Sequence, residues 1–435
     1  MPSAKCPLTT DNNPPIVYNA AFRIFHMSLP KRIDMTAPQS IPLPAGFRAA
    51  GIHCGIKKDA SHLDLSLFVS DCPAVGAGVF TTNLVHGAPV KVSRSRLPRA
   101  TARGVIINSG NSNACTGERG NEDARWMTAE VAAQLGCPAD DILVCSTGVI
   151  GRFLPRDVLK AGIPAVAAQL DSSPAGFLRA AQGIMTTDKF PKQSTRTGEI
   201  GGVPVRISGV AKGAAMIAPN MATMLSVIMT DATLLAADAQ VLLKHAVDRS
   251  FNCISVEGHM STSDTVLLLA NGAAVGARLS AHEHTRFQQM LNEVAMELAQ
   301  DIISDAEGAD HEITIDVRGL RTRDEAYTIA KAVAESPLVK TAITGGDPNW
   351  GRIVSAVGYA GVKLAETDIT LRLNDVLLYK SGAPVEFNAA EVSAALKNNR
   401  HVQIELEFPL GHEQVRFWTC DLTAEYVRLN ADYTT

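Results

Sequence analysis

The feature that most constrains the fold is the uncharged stretch between Lys212 and Asp231. Small residues fill its first half, and residues 224–229 then form a nearly continuous apolar run, Met-Leu-Ser-Val-Ile-Met. Because a proline and an asparagine interrupt the stretch, it falls short of the roughly 20 apolar residues of a membrane span. The run therefore predicts a strand buried on both faces. Thr223, at the mouth of this strand, is a candidate nucleophile, although an ordinary core threonine fits the same position.

The composition bounds the class of protein. A hydrophobic content of 46% and a charged content of 19% are ordinary for a globular chain. At 435 residues the chain is long enough for two domains or for one large domain with a sub-domain. The net charge of −4 gives no positive excess for binding nucleic acid or an anionic membrane. We therefore expect neither nucleic acid nor a membrane as a partner.

The eight cysteines stand singly along the chain, without a Cys-x-x-Cys pair. This spacing argues against a zinc knuckle or a redox dithiol, so we expect no metal and free thiols in a reducing compartment. The predicted location is cytoplasmic, with the mitochondrial matrix as the alternative. Residues 1–38 are polar and irregular and predict a disordered tail, in which Met1, Met27 and Met35 are all candidate starts.

Helix and strand patterns predict an α/β main domain over residues 39–310 and a smaller α+β domain over residues 311–435. Strands of the main domain are predicted at 63–69, 77–80, 104–107, 141–145, 203–210, 224–229 and 265–270. Its helices are predicted at 122–135, 174–183 and 236–251, with a long helix that begins at the capping box Ser280-x-x-Glu283. The C-terminal elements are strands at 312–317, 369–373, 402–408 and 415–420 and helices at 324–335 and 389–397.

Polar loops punctuate these elements. Residues 108–117 are rich in Asn, Ser and Gly, which favour tight turns. Ser146-Thr147-Gly148 ends the strand at 141–145 and can aim a hydroxyl and a backbone N–H at one point, as an oxyanion hole requires. A common turn has the same composition, so this motif alone leaves both interpretations open. For residues 344–352, which contain Asp-Pro-Asn-Trp-Gly-Arg, a structural turn and a binding loop fit equally well.

The chain lacks the sequence motifs of several large enzyme classes. It has no Gly-x-Gly-x-x-Gly after a strand, no Walker-type loop, no His-Glu-x-x-His and no Gly-x-Ser-x-Gly. These absences argue against nucleotide-dependent, zinc-hydrolase and serine-hydrolase chemistry.

Taken together, the loops resemble those of the ornithine acetyltransferase family, the bifunctional glutamate N-acetyltransferases of arginine biosynthesis. The resemblance covers roughly residues 40–435. It rests on segments that occur in the family's order, namely 108–117, 146–151, 186–188, 212–225, 261–265, 307–308, 347–352 and 430–433. It implies a layered α/β sandwich of the N-terminal-nucleophile type, as in the ornithine acetyltransferase and DmpA-like folds, with a smaller C-terminal α+β domain.

The resemblance further implies that the chain cuts itself between Ala222 and Thr223, into an α chain of residues 1–222 and a β chain of residues 223–435. A threonine hydroxyl is a weak nucleophile without an adjacent base. The cut supplies one, because Thr223 gains a free α-amino group with an ordinary pKa of about 7.7–8.0. Thr223 would then take the acetyl group from N-acetylornithine and pass it to glutamate. A bifunctional member would also use acetyl-CoA as a donor.

The family's other site residues carry over by position. The Thr147 hydroxyl and the Gly148 N–H would form the oxyanion hole. The residues implied to bind the amino-acid parts of the substrates are Thr186, Thr187, Lys212, Thr223, Glu307, Asn430 and Thr435. Lys212 suits an α-carboxylate and Glu307 suits the ornithine ammonium. The resemblance implies no metal, no resident cofactor, and an α2β2 heterotetramer.

The sequence departs from the family pattern at three places, which leaves the substrate preference open. Ala214-Ala215 replaces a common Ser-Gly, residues 308–311 read Gly-Ala-Asp-His where a Thr-Lys pair is more usual, and residues 256–260 read Val-Glu-Gly-His-Met. Two other functions compete with the transferase. One is an N-terminal-threonine aminopeptidase, a hydrolase on the same scaffold. The other is a non-catalytic relative that stays a single chain and serves as a binding or scaffold protein.

Overall fold

The computed structural model describes residues 40–217, 224–274 and 279–432. The predicted tail at residues 1–38 lies outside the described residues. So do the predicted scissile bond between Ala222 and Thr223 and the predicted substrate-binding residue Thr435.

Within the described ranges the chain forms fifteen strands and eleven α-helices. The strands are β1 (Phe47–Ile52), β2 (Leu65–Phe80), β3 (Arg99–Asn111), β4 (Ile142–Val149), β5 (Lys192–Ile200), β6 (Val203–Lys212), β7 (Leu225–Thr230), β8 (Ile254–Ser255), β9 (Thr265–Ala270), β10 (Glu312–Leu320), β11 (Thr370–Leu373), β12 (Val376–Lys380), β13 (Ala383–Pro384), β14 (His401–Glu407) and β15 (Glu413–Cys420). The helices are α1 (Ala88–Arg96), α2 (Gly117–Leu135), α3 (Arg156–Ala168), α4 (Pro174–Gly183), α5 (Ala236–Val247), α6 (Ala281–Ser304), α7 (Arg323–Ala334), α8 (Pro337–Thr344), α9 (Trp350–Tyr359), α10 (Ala389–Asn398) and α11 (Ala424–Asp432).

The first sheet has the strand order β4-β3-β2-β9-β7-β6-β5, and β1 pairs with β2. Strand β7 lies between β6, which runs antiparallel to it, and β9, which runs parallel. All six residues of β7 are buried. Val227 and Met229 pack with α4 on one face of the sheet, and Ile228 packs with α5 and α6 on the other. The predicted strand buried on both faces is therefore present, shifted by one residue.

The second sheet has the order β13-β12-β11-β14-β10-β15-β8. Helix α6 packs against β5 and β6 of the first sheet and also contacts β8 and β15 of the second. Helix α7 covers β10 and β15. The predicted layered α/β architecture is confirmed by this arrangement. All but one strand of the second sheet follow residue 310, and the domain boundary placed there stays a prediction.

Strand β2 and helix α2 are among the elements that differ from the sequence-based prediction. Strand β2 is one continuous strand of 16 residues, where two strands at 63–69 and 77–80 were expected. Its pairing with β3 shifts register between Val69 and Ala74, and this bend lets polar residues stand in the middle of the strand. Helix α2 begins at Gly117, five residues before the expected start at Glu122. The Thr116 hydroxyl donates to the Asn113 side chain, which ends the polar loop in a turn that leads directly into the helix.

Other features agree with the sequence-based prediction. The capping box at Ser280 and Glu283 opens α6, and α4 and β9 have the predicted bounds. The seven cysteines within the described ranges are free thiols. Over the same ranges, no helix is both long enough and apolar enough to cross a membrane.

A single buried carboxylate, that of Asp64, organises the loop between β1 and β2. It accepts the backbone N–H groups of Cys54 at 2.7 Å, Gly55 at 3.1 Å, Ile56 at 2.8 Å and Lys57 at 3.0 Å. The Asp64 side chain is fully buried. Four backbone donors therefore depend on one side chain for their hydrogen bonds.

We expect the substitution Asp64→Ala to lower the free energy of unfolding by about 3 kcal/mol, because it leaves buried N–H groups without an acceptor. Asp64→Asn keeps one acceptor oxygen and should lose less. Asp59→Ala, in the same loop but at an exposed side chain, is the matched control. Urea denaturation followed by circular dichroism measures the effect. Equal stability of the Asp64→Ala and Asp59→Ala proteins would contradict the expectation.

Candidate active site

The end of β4 approaches β3 more closely than a side chain would allow. Gly148 pairs with Gly110 in the parallel ladder of these strands and has a φ of +128°. A Cβ atom at Gly148 would lie 2.3 Å from the carbonyl carbon of Gly110. Only glycine fits this close approach and this conformation. The neighbouring Thr147 is 2% exposed, so its hydroxyl lies in the interior where the strand ends.

Lys212, the last residue of β6, lies at the same point. Its side chain is 2% exposed, and its Nζ donates to Thr147 Oγ1 at 3.4 Å. Burial lowers the pKa of the Lys212 ammonium, while the carboxyl groups of Asp188, Asp264 and Glu307 oppose the shift. Two of the predicted site residues, 65 positions apart in the chain, are thus in contact.

Asp188 joins this point to the loop that follows α4. Its fully buried carboxylate accepts the Gly213 N–H at 2.6 Å, the Thr186 N–H at 2.9 Å and the Lys192 ammonium at 2.7 Å. Burial alone would raise the pKa of Asp188, but the charges of Lys192 and Lys212 outweigh it and hold the pKa below its usual range. Asp188 is therefore an anion at neutral pH. The predicted residues Thr186 and Thr187 lie in its loop, both half-buried.

Lys192 completes a buried ionic triad. Its ammonium also donates to Asp305 at 2.6 Å, and neither side chain is exposed. Burial acts to lower the pKa of Lys192, yet the carboxylates of Asp188 and Asp305 outweigh it and raise the pKa. Burial raises the pKa of Asp305. Because Asp305 directly follows α6, the triad fixes the end of that helix to the loop of Asp188.

A second pair of predicted residues, Glu307 and Asn430, lies beside the segment that follows β6. Asn430 Nδ2 donates to Glu307 Oε2 at 3.4 Å, and the Glu307 N–H donates to the carbonyl of Ala214 at 2.9 Å. Gly308 has a φ of +66°, and a Cβ there would lie 2.4 Å from the Tyr426 nitrogen. This close approach brings α11, and with it Asn430, beside Glu307.

Two carboxyl groups that sequence reasoning did not select hold the chain on either side of residues 218–223. Asp264 Oδ1 accepts the Met224 N–H at 2.9 Å, and Glu257 Oε1 accepts the Ile217 N–H at 2.6 Å. Asp264 is fully buried, and burial raises its pKa well above the usual range. Asp264 lies in segment 261–265 of the family resemblance, which did not give it a role, and Glu257 is only an acidic residue after a short buried strand, a signal without specificity.

Four of the predicted site residues form two contacting pairs, Thr147 with Lys212 and Glu307 with Asn430, while Gly148 follows Thr147 directly and Thr186 and Thr187 lie in the loop of Asp188. Ala222, Thr223 and Thr435 lie outside the described residues. Over residues 40–217, 224–274 and 279–432, no group of three or more His, Cys, Asp or Glu side chains is arranged to hold a metal ion.

The fold and this site define a class of protein: a layered α/β protein with a buried polar centre at the ends of strands β4 and β6. Sequence comparison then gives the family. The chain belongs to the ArgJ family, whose model matches residues 48–435. The predicted resemblance to the ornithine acetyltransferases of arginine biosynthesis is confirmed at the level of the family.

Individual relatives cover most of the chain. The chain is 45% identical to the "Arginine biosynthesis bifunctional protein ArgJ" of Rhodopirellula baltica over 408 residues, which are 92% of this chain and 99% of the relative. It is 41% identical to the mitochondrial protein of the same name from Meyerozyma guilliermondii, over 90% of this chain and 94% of the relative. The chain is also similar to a solved structure, that of the ornithine acetyltransferase of Mycobacterium tuberculosis complexed with ornithine. The two sequences are 39% identical, the match covers 40% of this chain and 92% of the Mycobacterium tuberculosis chain, and the TM-score is 0.36.

The contribution of the buried triad of Lys192, Asp188 and Asp305 to stability can be tested by substitution. We expect Lys192→Met to lower the free energy of unfolding by about 3–5 kcal/mol, because it leaves two adjacent buried carboxyl groups without their cation. Lys189→Met, at an exposed side chain in the same loop, is the matched control. Urea denaturation of the two variants measures their free energies of unfolding. A loss of stability at Lys192 no larger than at Lys189 would contradict this account of the triad.

Proposed function

We propose that this protein is a glutamate N-acetyltransferase that moves the acetyl group of N2-acetyl-L-ornithine to L-glutamate through an acetyl-threonine at Thr223. The observation that carries the proposal is the contact of the buried Lys212 ammonium with the Thr147 hydroxyl, next to Gly148. The contact brings the two side chains to one buried point, where in this proposal Thr147 is the oxyanion donor and Lys212 is the cation that binds a carboxylate. Membership of the ArgJ family supports the proposal.

Self-cleavage prepares the nucleophile. Thr223 Oγ attacks the carbonyl carbon of Ala222, the amide nitrogen leaves as the α-amino group of Thr223, and water hydrolyses the resulting ester. The products are an α chain that ends at Ala222 and a β chain that begins at Thr223. The new amino group lies on the same residue as the hydroxyl and can accept its proton.

Acetyl transfer then proceeds in two half-reactions. The α-amino group takes the proton from Thr223 Oγ as the oxygen attacks the acetyl carbonyl, and the Thr147 hydroxyl and the Gly148 N–H bind the oxyanion. Ornithine leaves as the amine and takes up the proton. The amine of glutamate attacks the acetyl-threonine ester, which releases N-acetylglutamate and restores the Thr223 hydroxyl.

The substrates' amino-acid groups are held by charges of opposite sign. Lys212 binds an α-carboxylate, and Thr186 and Thr187, in the loop whose Asp188 bonds to Gly213, are further substrate-binding residues. Glu307, in contact with Asn430, binds the ornithine ammonium, and Thr435 is a further substrate-binding residue of the proposal.

The proposal extends to a second acetyl donor, to the quaternary structure and to the cellular location of the protein. Acetyl-CoA serves as a second acetyl donor, which the word "bifunctional" in the relatives' names supports. The acetyl group is carried by Thr223, so the reaction needs no metal or resident cofactor. The cleaved chains assemble as an α2β2 heterotetramer. We propose a cytoplasmic location, although one relative is named as mitochondrial.

The nucleophile is tested first. Thr223→Ala should remain one chain on a denaturing gel and should move no acetyl group from N-acetylornithine to glutamate. Ser226→Ala is the matched control, because Ser226 is buried three residues further on, and its hydroxyl has no hydrogen-bond partner within the described ranges. It should give two fragments of similar size and normal exchange. Cleavage or exchange by Thr223→Ala would contradict the proposal, and acetate release that outpaces exchange would favour the aminopeptidase-like hydrolase.

The oxyanion donor is tested by Thr147→Val, which removes the hydroxyl and nearly keeps the shape. We expect kcat to fall by about 10²–10³, with KM changed less, because the lost hydrogen bond forms in the transition state. Thr147→Ser keeps the hydroxyl and should retain most of the activity. Steady-state kinetics of acetyl exchange measures both. Equal kcat for the Val and Ser variants would rule out this role of Thr147.

A further inference from the structure

The chain that leads towards residues 218–223 is fixed at Met216 and Ile217. Ile217 is fully buried, its N–H donates to Glu257 Oε1 at 2.6 Å, and its carbonyl accepts the Val256 N–H at 2.7 Å. Met216 has a φ of +58°, in the left-handed region that non-glycine residues rarely adopt. The Met216 N–H also interacts with the Glu257 carboxylate. Such a backbone conformation persists only where its surroundings hold it.

Glu257 has a second oxygen that these contacts leave unused. Its Oε2 is buried and has no hydrogen-bond partner in the part of the chain that the structure describes. The side chain lines a cavity of about 450 Å³ between the loop after β8 and helix α11. Burial raises the pKa of Glu257 to about 7, and the two backbone donors oppose this shift. Both protonation states of the carboxyl group are therefore populated near neutral pH.

The groups facing Glu257 come from every element packed around it. They are His259 in its own loop, Glu307 after α6, Glu335 after α7, Lys340 of α8 and Tyr426 of α11. The Lys340 ammonium is already bonded to Thr419 Oγ1 at 2.8 Å, and Glu335 is bonded to Lys331. The backbone of Met216 and Ile217 is therefore the main hydrogen-bonding partner of the Glu257 carboxylate.

We propose that Glu257 is a positioning residue for self-cleavage, whose carboxylate holds the turn at Met216 and Ile217, five residues before Ala222. The inference rests on the self-cleavage of the proposed function. Ionisation of Glu257 strengthens this hold, because a charged acceptor forms a stronger hydrogen bond with an N–H than a neutral one does. Its ionised form prevails above pH 7 and its neutral form below, so cleavage is faster on the alkaline side.

The test follows newly made chains. Full-length protein is pulse-labelled in a cell-free translation system, synthesis is stopped, and the product is diluted into buffers from about pH 6 to about pH 8, which span the titration of a carboxyl group with a raised pKa. The rate at which the full-length band turns into two fragments is read on denaturing gels. The chains compared are the wild type, Glu257→Gln, Glu257→Ala and Glu335→Gln. Glu335→Gln is the control because Glu335 lines the same cavity but does not bond to Ile217.

The expected results separate positioning from folding. Glu257→Gln keeps a neutral acceptor of the same length, so it should be cleaved slowly and without the rise near pH 7 that the wild type and Glu335→Gln show. Glu257→Ala should be cleaved at least about tenfold more slowly than the wild type at pH 8, as expected for the loss of a charged hydrogen bond. Circular dichroism of the purified Glu257→Gln protein should match the wild type.

Two results would overturn the inference while leaving the proposed function intact. One is a Glu257→Gln chain whose cleavage rate follows pH as the wild type does, and the other is a Glu257→Ala chain cleaved at the wild-type rate. A wild-type chain that is never cleaved would overturn the proposed function itself, and this inference with it.

Discussion

The buried carboxylate of Asp188 is the interaction on which the arrangement of the site depends. It accepts hydrogen bonds from Lys192, from the backbone after β6 at Gly213, and from the backbone of Thr186. A buried anion is tolerated only when cations and hydrogen bonds satisfy it. Thr186 and Lys192 lie within four residues of Asp188, whereas Gly213 lies 25 residues further on, so the carboxylate joins its own loop to the end of β6 that carries Lys212.

A carboxyl group also accepts a backbone N–H on each side of residues 218–223. Glu257 holds the backbone before this segment and Asp264 holds the backbone after it, in each case through an N–H donated to a carboxyl oxygen. Glu257 keeps one buried oxygen without a partner within the described residues. Burial raises the pKa of both carboxyl groups. The backbone before and after residues 218–223 is therefore fixed by two buried carboxyl groups. Burying such a group costs free energy, and carboxyl groups with a pKa perturbed in this way are typical of functional sites.

Much of the fold could be predicted from local patterns. Strand β7 follows from its apolar run, and α4 and β9 have the predicted bounds because each is a compact apolar segment between clear start and stop signals. Helix α3 was not predicted, and it contains a proline at position 164, which sequence patterns read as a helix breaker. A turn or a loop was expected at residues 344–352, but residues 350–352 form the start of α9, which Asn349 caps. The site residues on loops could be selected only because the sequence resembles a known family. The roles of Asp188 and Asp264 could not be predicted, because their partners Gly213 and Met224 are distant in sequence.

The central claim is that Thr223 becomes a new N-terminus and carries the acetyl group. Mass spectrometry of the protein after incubation with N-acetylornithine, with glutamate absent, tests it most directly. The account predicts a β chain that begins Thr-Met-Leu-Ser and carries one acetyl group on Thr223, which disappears when glutamate is added. Acetyl exchange at full rate by an uncleaved chain, or by a β chain that never becomes acetylated, would contradict it.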